Sequence, residues 1–160
     1  MLVTDVNGDG LNDIIIGSDH GYGLAWYEQV KETDKITFRQ HLILNPAPKP
    51  NSYGITFSQL HALEVIDMDG DGLKDIVTGK RFWAHGPHGG DPESDNPPVL
   101  YWFKLVRSAK GEVDFVPHQI DDNSGIGTQV VAKAINGDKL PSIVVGNKKG
   151  VFVFEPSQSK

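Results

Sequence analysis

The chain has 160 residues, no cysteine and a formal net charge of −6, with 38% apolar and 22% charged residues. That is enough for one ordinary domain with a real core, and it excludes disulfides, thiolate metal sites and cysteine nucleophiles. No basic stripe suggests a nucleic-acid footprint, and no run approaches the roughly 18 consecutive apolar residues of a membrane helix.

The chain opens at Met1-Leu-Val-Thr-Asp5, almost inside a motif and without a charged-then-apolar leader. So abrupt a start is expected of a fragment, whose export signal would belong to the missing portion. The first motif is Asp5-Val-Asn-Gly-Asp-Gly-Leu-Asn-Asp13, followed by Ile-Ile-Ile-Gly17. Two β-rich runs come next, Gly23-Leu-Ala-Trp26-Tyr27-Glu28 and Phe38-Arg-Gln-His41-Leu-Ile43. A proline-rich connector from Asn45 to Ser52 reads as an extended surface loop.

The pattern then starts again. Leu60 to Ile66 leads into Asp67-Met-Asp-Gly-Asp-Gly-Leu-Lys-Asp75 and Ile-Val-Thr-Gly79, which match the first motif position for position. After an insertion from Lys80 to Pro98, the runs Val99-Leu-Tyr-Trp102-Phe103 and Phe115-Val-Pro-His118-Gln-Ile120 repeat the earlier pair. A third copy, Ala134-Ile-Asn-Gly-Asp-Lys-Leu-Pro-Ser142 with Ile-Val-Val-Gly146, precedes Gly150-Val-Phe-Val-Phe154. The copies start 62 and then 67 residues apart, a period that suits a four-stranded unit with long loops. No stretch carries a sustained 3.6-residue apolar period, so the expectation is all-β.

The acids explain the charge. Seven of the 21, namely Asp5, Asp9, Asp13, Asp67, Asp69, Asp71 and Asp75, lie in the two nine-residue loops. The spacing D-x-[DN]-x-D-G-x-x-D sets oxygen donors at alternate positions of a tight turn, which suits a hard cation taking six to eight oxygens. Asp5, Asn7, Asp9 and Asp13 offer side-chain oxygens in the first loop, with the Leu11 carbonyl. Asp67, Asp69, Asp71 and Asp75 do so in the second, with the Leu73 carbonyl. Two calcium sites are expected, because clustered carboxylates without a cation repel. An EF-hand requires a glutamate at position 12 and flanking helices; position 12 is Ile16 or Thr78, and β-rich runs follow. Dockerin-type loops fail on the same residue. In the third copy Ala134 and Ser142 replace two acids and Lys139 a glycine, so that copy reads as an ordinary turn.

These loops, with their Ile-Ile-Ile-Gly17 and Ile-Val-Thr-Gly79 tails and Trp-Tyr or Tyr-Trp-Phe strands, resemble the FG-GAP/VCBS repeats of bacterial exported proteins and integrin-like propellers. The resemblance implies antiparallel four-stranded β-propeller blades with calcium in the hairpin loop joining the first two strands. It implies a parent of about seven blades, of which this chain supplies two and a part. Residues 1–50 would form part of a first blade, 51–123 a second, and 124–160 the start of a degenerate third. The family includes adhesion modules, carbohydrate-associated domains and scaffolds beside enzymes, so fold alone does not fix function. A protein or glycan partner is expected, with the remaining blades or self-association covering the open ends, and a location in the periplasm, outside the cell or on its surface.

The second reading is a sugar-active enzyme. His61, Lys80, Arg81, Trp83, His85, His88 and Asp91 flank the second loop and fill its insertion, and long loops in compact domains are disproportionately functional. His85-x-x-His88-x-x-Asp91 spaces three ligands for a second metal on one loop, and Trp83 offers a stacking face. The chain is more loosely similar to the propeller part of sugar dehydratases of the aldos-2-ulose type, which implies a dehydratase or lyase site near His61, Lys80, Arg81 and His85. Against this stands a Gly/Pro-rich loop that need only be solvated. His41 and His118 recur at one repeat position and read as structural, as do Trp26, Tyr27, Tyr101, Trp102 and Phe103. No catalytic motif such as G-x-S-x-G or a P-loop is present.

Overall fold

The computed structural model describes residues 1–157 other than 34, 87, 88, 136 and 138. Eleven strands and no helix are found among the described residues. The first sheet holds β1 (Leu2–Thr4), β2 (Asp13–Gly17), β3 (Leu24–Lys31) and β4 (Ile36–Leu44). The second holds β5 (Leu63–Ile66), β6 (Asp75–Gly79), β7 (Leu100–Arg107) and β8 (Val113–Asp121). The third holds β9 (Val130–Lys133), β10 (Ser142–Asn147) and β11 (Gly150–Phe154). Each is an antiparallel meander in chain order. The expected strands are therefore present, with β7 and β8 running further toward their shared turn than the sequence runs at 99–103 and 115–120 suggest.

Repetition extends to irregularities. A register shift falls between Leu24 and Ala25 in the first sheet and between Leu100 and Tyr101 in the second. The glycine closing the repeat motif has a steric reason at Gly79, where a Cβ would stand 2.2 Å from the Val99 carbonyl oxygen.

The period-2 alternation of strand side chains explains how the sheets stack. In β6, Ile76 joins a core shared with Ile15, Leu24 and Trp26 of the first sheet, whereas Val77 joins one shared with Val130, Ile143 and Val145 of the third. In β7, Phe103 and Leu105 face the first sheet and Leu100 the third. The second sheet is thus covered on both sides, and every residue of β6 is buried. The short leading strands come together, β1 beside β5 and β5 beside β9.

A meander puts its turns at alternate ends. The two Asp-rich loops, at the β1–β2 and β5–β6 turns, share one end with the β9–β10, β3–β4 and β7–β8 turns. The β2–β3 turn (18–23), the long β6–β7 loop (80–99) and the connectors between sheets lie at the other. Two isolated bridges tie this second end together, Tyr22 with Ser58 and Arg81 with Ile126.

Candidate functional site

The two Asp-rich loops fold alike, with the same bonds from backbone amides. In the first, the amides of Gly8 and Gly10 donate to Asp5 Oδ1 and Oδ2 at 2.7 and 2.9 Å, and Leu11 N donates to Asp9 Oδ1 at 2.8 Å. In the second, Gly70 and Gly72 donate to Asp67 at 2.7 and 2.9 Å, and Leu73 N to Asp71 Oδ1 at 2.8 Å. Gly8, Gly10, Gly70 and Gly72 have φ between 82° and 88°, a region that glycine enters without a Cβ penalty. The Leu73 side chain packs on the core between the first two sheets.

The last acid of each motif is fully buried. Asp13 accepts from Val6 N at 2.9 Å and from Gln29 N on β3 at 2.8 Å. Asp75 accepts from Met68 N at 2.9 Å and from Leu105 N on β7 at 2.8 Å. Each carboxylate therefore joins its loop to the third strand. Burial pushes the Asp75 carboxyl up to about 6 despite the two amides, with Asp69 and Asp71 adding to the rise; burial raises Asp13 too.

The second loop gathers its charge. Asp67, Asp69 and Asp71 each present a carboxylate oxygen within 4.8 Å of the others. The Lys104 ammonium sits between Asp69 and Asp71, 3.0 Å from Asp71 Oδ2. The two carboxylates converge on one positive charge. Asp71 is held below the usual carboxylate range by the Leu73 amide and then by Lys104. In the first sheet the position of Lys104 is taken by Glu28, which turns away to Arg39 (3.2 Å) and His41 (2.9 Å), and among the described residues no three carboxylates gather there. Arg107 of β7 instead clamps the first loop from outside, donating to the Asp5 and Val6 carbonyls at 2.8 and 2.7 Å. Neither Lys104 nor Arg107 stands out in the sequence. Asn136 and Asp138 of the third copy lie outside the described residues.

At the other end a second cluster forms. His85 Nδ1 lies 2.8 Å from Asp91 Oδ2, and His20 Nδ1 lies 3.2 Å from Asp91 Oδ1. The imidazoles of His20 and His85 stack with centroids 4.5 Å apart, and His61 meets His20 edge-on at 4.6 Å. Arg81 Nη1 is 3.2 Å from each ring nitrogen of His61. Burial, then Arg81 and His20, lower the basicity of His61. Burial works to raise the Asp91 carboxyl, but hydrogen bonds and charge from His85 and His20 outweigh it and hold the group low.

The structure joins His61 to Arg81 and His85 to Asp91, and brings in His20, which the sequence reading missed. His88 lies outside the described residues. Trp83 is not a free platform: its ring stacks on Phe82 at 4.3 Å, and its indole nitrogen is buried without a hydrogen-bond partner among the described residues. Lys80 is separate from the histidines in role. It is 1% exposed and lines a cavity of about 340 Å³ with Glu93, Tyr101 and Asp122. Alignment of the repeats held one signal for His20, since turn 18–23 corresponds to the insertion and must lie at the same end.

The recurrent histidines behave as framework. His41 and His118 are the cross-strand partners of Trp26 and Trp102, stacked on them at 4.2 and 4.4 Å. Such pairs are units of sheet stabilisation.

Comparison with family models matches residues 5–78 to the FG-GAP-like repeat. This span covers both Asp-rich loops and the first two strands of the second sheet. No curated protein matches the chain by sequence.

Proposed function

Since residues 5–78 match the FG-GAP-like repeat, we propose that the chain is a calcium-stapled β-propeller module, two blades and part of a third, in an exported protein that binds a protein or a glycan. The observation that carries this reading is the second loop, where Asp69 and Asp71 converge on the Lys104 cation beside Asp67. The donor set is hard oxygen throughout, which suits calcium. Asp67, Asp69, Asp71 and Asp75 with the Leu73 carbonyl would hold one ion. Asp5, Asn7, Asp9 and Asp13 with the Leu11 carbonyl would hold the other.

Calcium supplies charge neutralisation at these loops; the chain supplies the rest. The glycine amides preform each turn around Asp5 or Asp67, and Asp13 or Asp75 carries the constraint into the third strand. Sites of the extracellular type have Kd of about 0.1–1 mM, a range that fits the exported setting of this reading. At calcium ten times Kd, each site adds about 1.4 kcal/mol of stability, a large share of a net stability on the order of 10 kcal/mol.

Calorimetric titration is expected to find two calcium sites, with chelator lowering Tm. Asp71→Ala is expected to leave one site. Identical melting curves in millimolar calcium and in chelator would sink the reading.

A sugar-active site is the second reading. What favours it is the convergence of His61, Arg81, His85 and Asp91 at the end away from the Asp-rich loops, with buried Lys80 lining a cavity on the same insertion. Binding to a glycan array, lost on His61→Ala, would support it.

A further inference from the structure

The cluster at the end opposite the Asp-rich loops has a donor set of a different kind. His20, His85 and Asp91 each present one ligand atom within 4.8 Å of the others. Two imidazoles and one carboxylate suit a borderline divalent transition metal, whereas calcium prefers oxygen throughout. His20 Nδ1 lies 3.2 Å from Asp91 Oδ1, and His85 Nδ1 lies 2.8 Å from Asp91 Oδ2. A tetrahedral zinc site with bonds of about 2.0–2.1 Å has donor atoms roughly 3.3 Å apart.

The donors come from different sheets, and one buried residue braces all of them. His20 lies in the β2–β3 turn, while His85 and Asp91 lie in the β6–β7 loop. Gln59 is fully buried and adopts φ +61°, an uncommon conformation that persists where surrounding contacts fix it. Its amide donates to Gly21 O at 2.8 Å, next to His20. Its side-chain carbonyl accepts from Ala84 N at 3.3 Å, next to His85. Its side-chain amide donates to Pro92 O at 3.1 Å, next to Asp91, where Ser58 Oγ also donates at 2.7 Å. Gln59 therefore grips the chain neighbour of each of the three donors. Ligands held this way from behind are a recurrent feature of metal sites.

We propose that His20, His85 and Asp91 form a site for a divalent transition-metal ion, with Gln59 as its positioning residue. The Asp91 side chain is 9% exposed, while those of His20 and His85 are 41% and 57% exposed. The site is anchored on its carboxylate side and open to solvent past the imidazoles. With three protein donors, a tetrahedral ion keeps one position for water or an exogenous ligand. His61 stays outside the donor set: its nitrogens face Arg81, and its ring edge props His20.

The test is a zinc titration of the whole chain in millimolar calcium, which keeps the Asp-rich loops occupied. One zinc per chain is expected, and cobalt in its place should give visible d–d absorption. His20→Ala and His85→Ala, at half-buried and exposed positions outside the apolar core, should each weaken zinc at least about a hundredfold, and Gln59→Leu about tenfold to a hundredfold with calcium stoichiometry unchanged. His118→Gln, on the far sheet surface, should leave zinc binding as it is. If the wild type takes up no zinc, Asp91 only bridges two histidines by hydrogen bonds and the proposal falls. It falls equally if both histidine variants bind zinc within about threefold of wild type.

Discussion

Lys80 places a primary amine in a fully buried position, and its Nζ has no hydrogen-bond partner among the described residues. Burial pushes its pKa down, and the charges of Glu93, Asp91 and Asp95 recover only part of the loss. The unfolded chain keeps this proton up to the ordinary lysine value of 10.5. Between the lowered folded value and 10.5 the unfolded state therefore binds more protons, so stability rises with pH through that window. Below the folded value the penalty is fully present. Lys80→Met removes it, and at pH 7 the variant should be more stable than wild type by about 1–3 kcal/mol, the usual cost of an unsatisfied buried group. Denaturant unfolding should show that gap narrowing as pH approaches 10. A wild type at least as stable as the variant at pH 7 would mean that the amine is satisfied.

Hairpins that share the same backbone-amide bonds differ in what the neighbouring strand brings to them. In the second sheet, β7 sends Lys104 between Asp69 and Asp71; in the first, β3 places Glu28 at the same position, engaged with Arg39 and His41. The ammonium competes with any dication for the same oxygens, and the two aspartates raise its pKa, so it stays charged. Lys104→Gln is accordingly expected to raise calcium affinity at the second loop severalfold and leave the first unchanged. Titration of the variant in an Asp9→Ala background, which isolates the second loop, reads this directly. An unchanged or weaker affinity would mean that Lys104 does not occupy the ion's position.

Stacking the three sheets leaves two apolar faces uncovered. Val3, Ile16 and Leu42 are exposed on the outer side of the first sheet, and Val131, Val151 and Val153 on that of the third. Both faces match the character of the faces buried against the middle sheet, and contiguous exposed apolar surface of this kind marks an interaction surface. The isolated chain is expected to self-associate through them, and Val3→Lys with Val153→Lys should shift it toward monomer. Sedimentation of the wild type as a monomer at about 100 μM, far above the Kd expected of a specific interface, would count against this.

The sequence alone was sufficient for the repeat, the all-β class and the equivalence of the two Asp-rich loops. The reason is range: the hydrogen bonds shaping those loops span two to seven residues, and strand alternation spans two, so both are written locally. The framework role of His41 and His118 was legible for a similar reason, since a repeated cross-strand partner recurs at a fixed offset. The pairing of His85 with Asp91, six residues apart, was also within reach. What joins His20 to Asp91 is separated by 71 residues, what brings Lys104 to Asp69 by 35, and what brings Arg107 to Asp5 by 102. The Lys104 contact needs β7 paired beside β6 within one sheet; the other two depend on how one twisted sheet settles against the next, through interdigitation of Ile15, Leu24, Ile76 and Phe103. No local pattern encodes that placement. Only the packed structure decides which turn lies beside which, and hence that a single buried glutamine bonds to the chain beside His20, His85 and Asp91 at once.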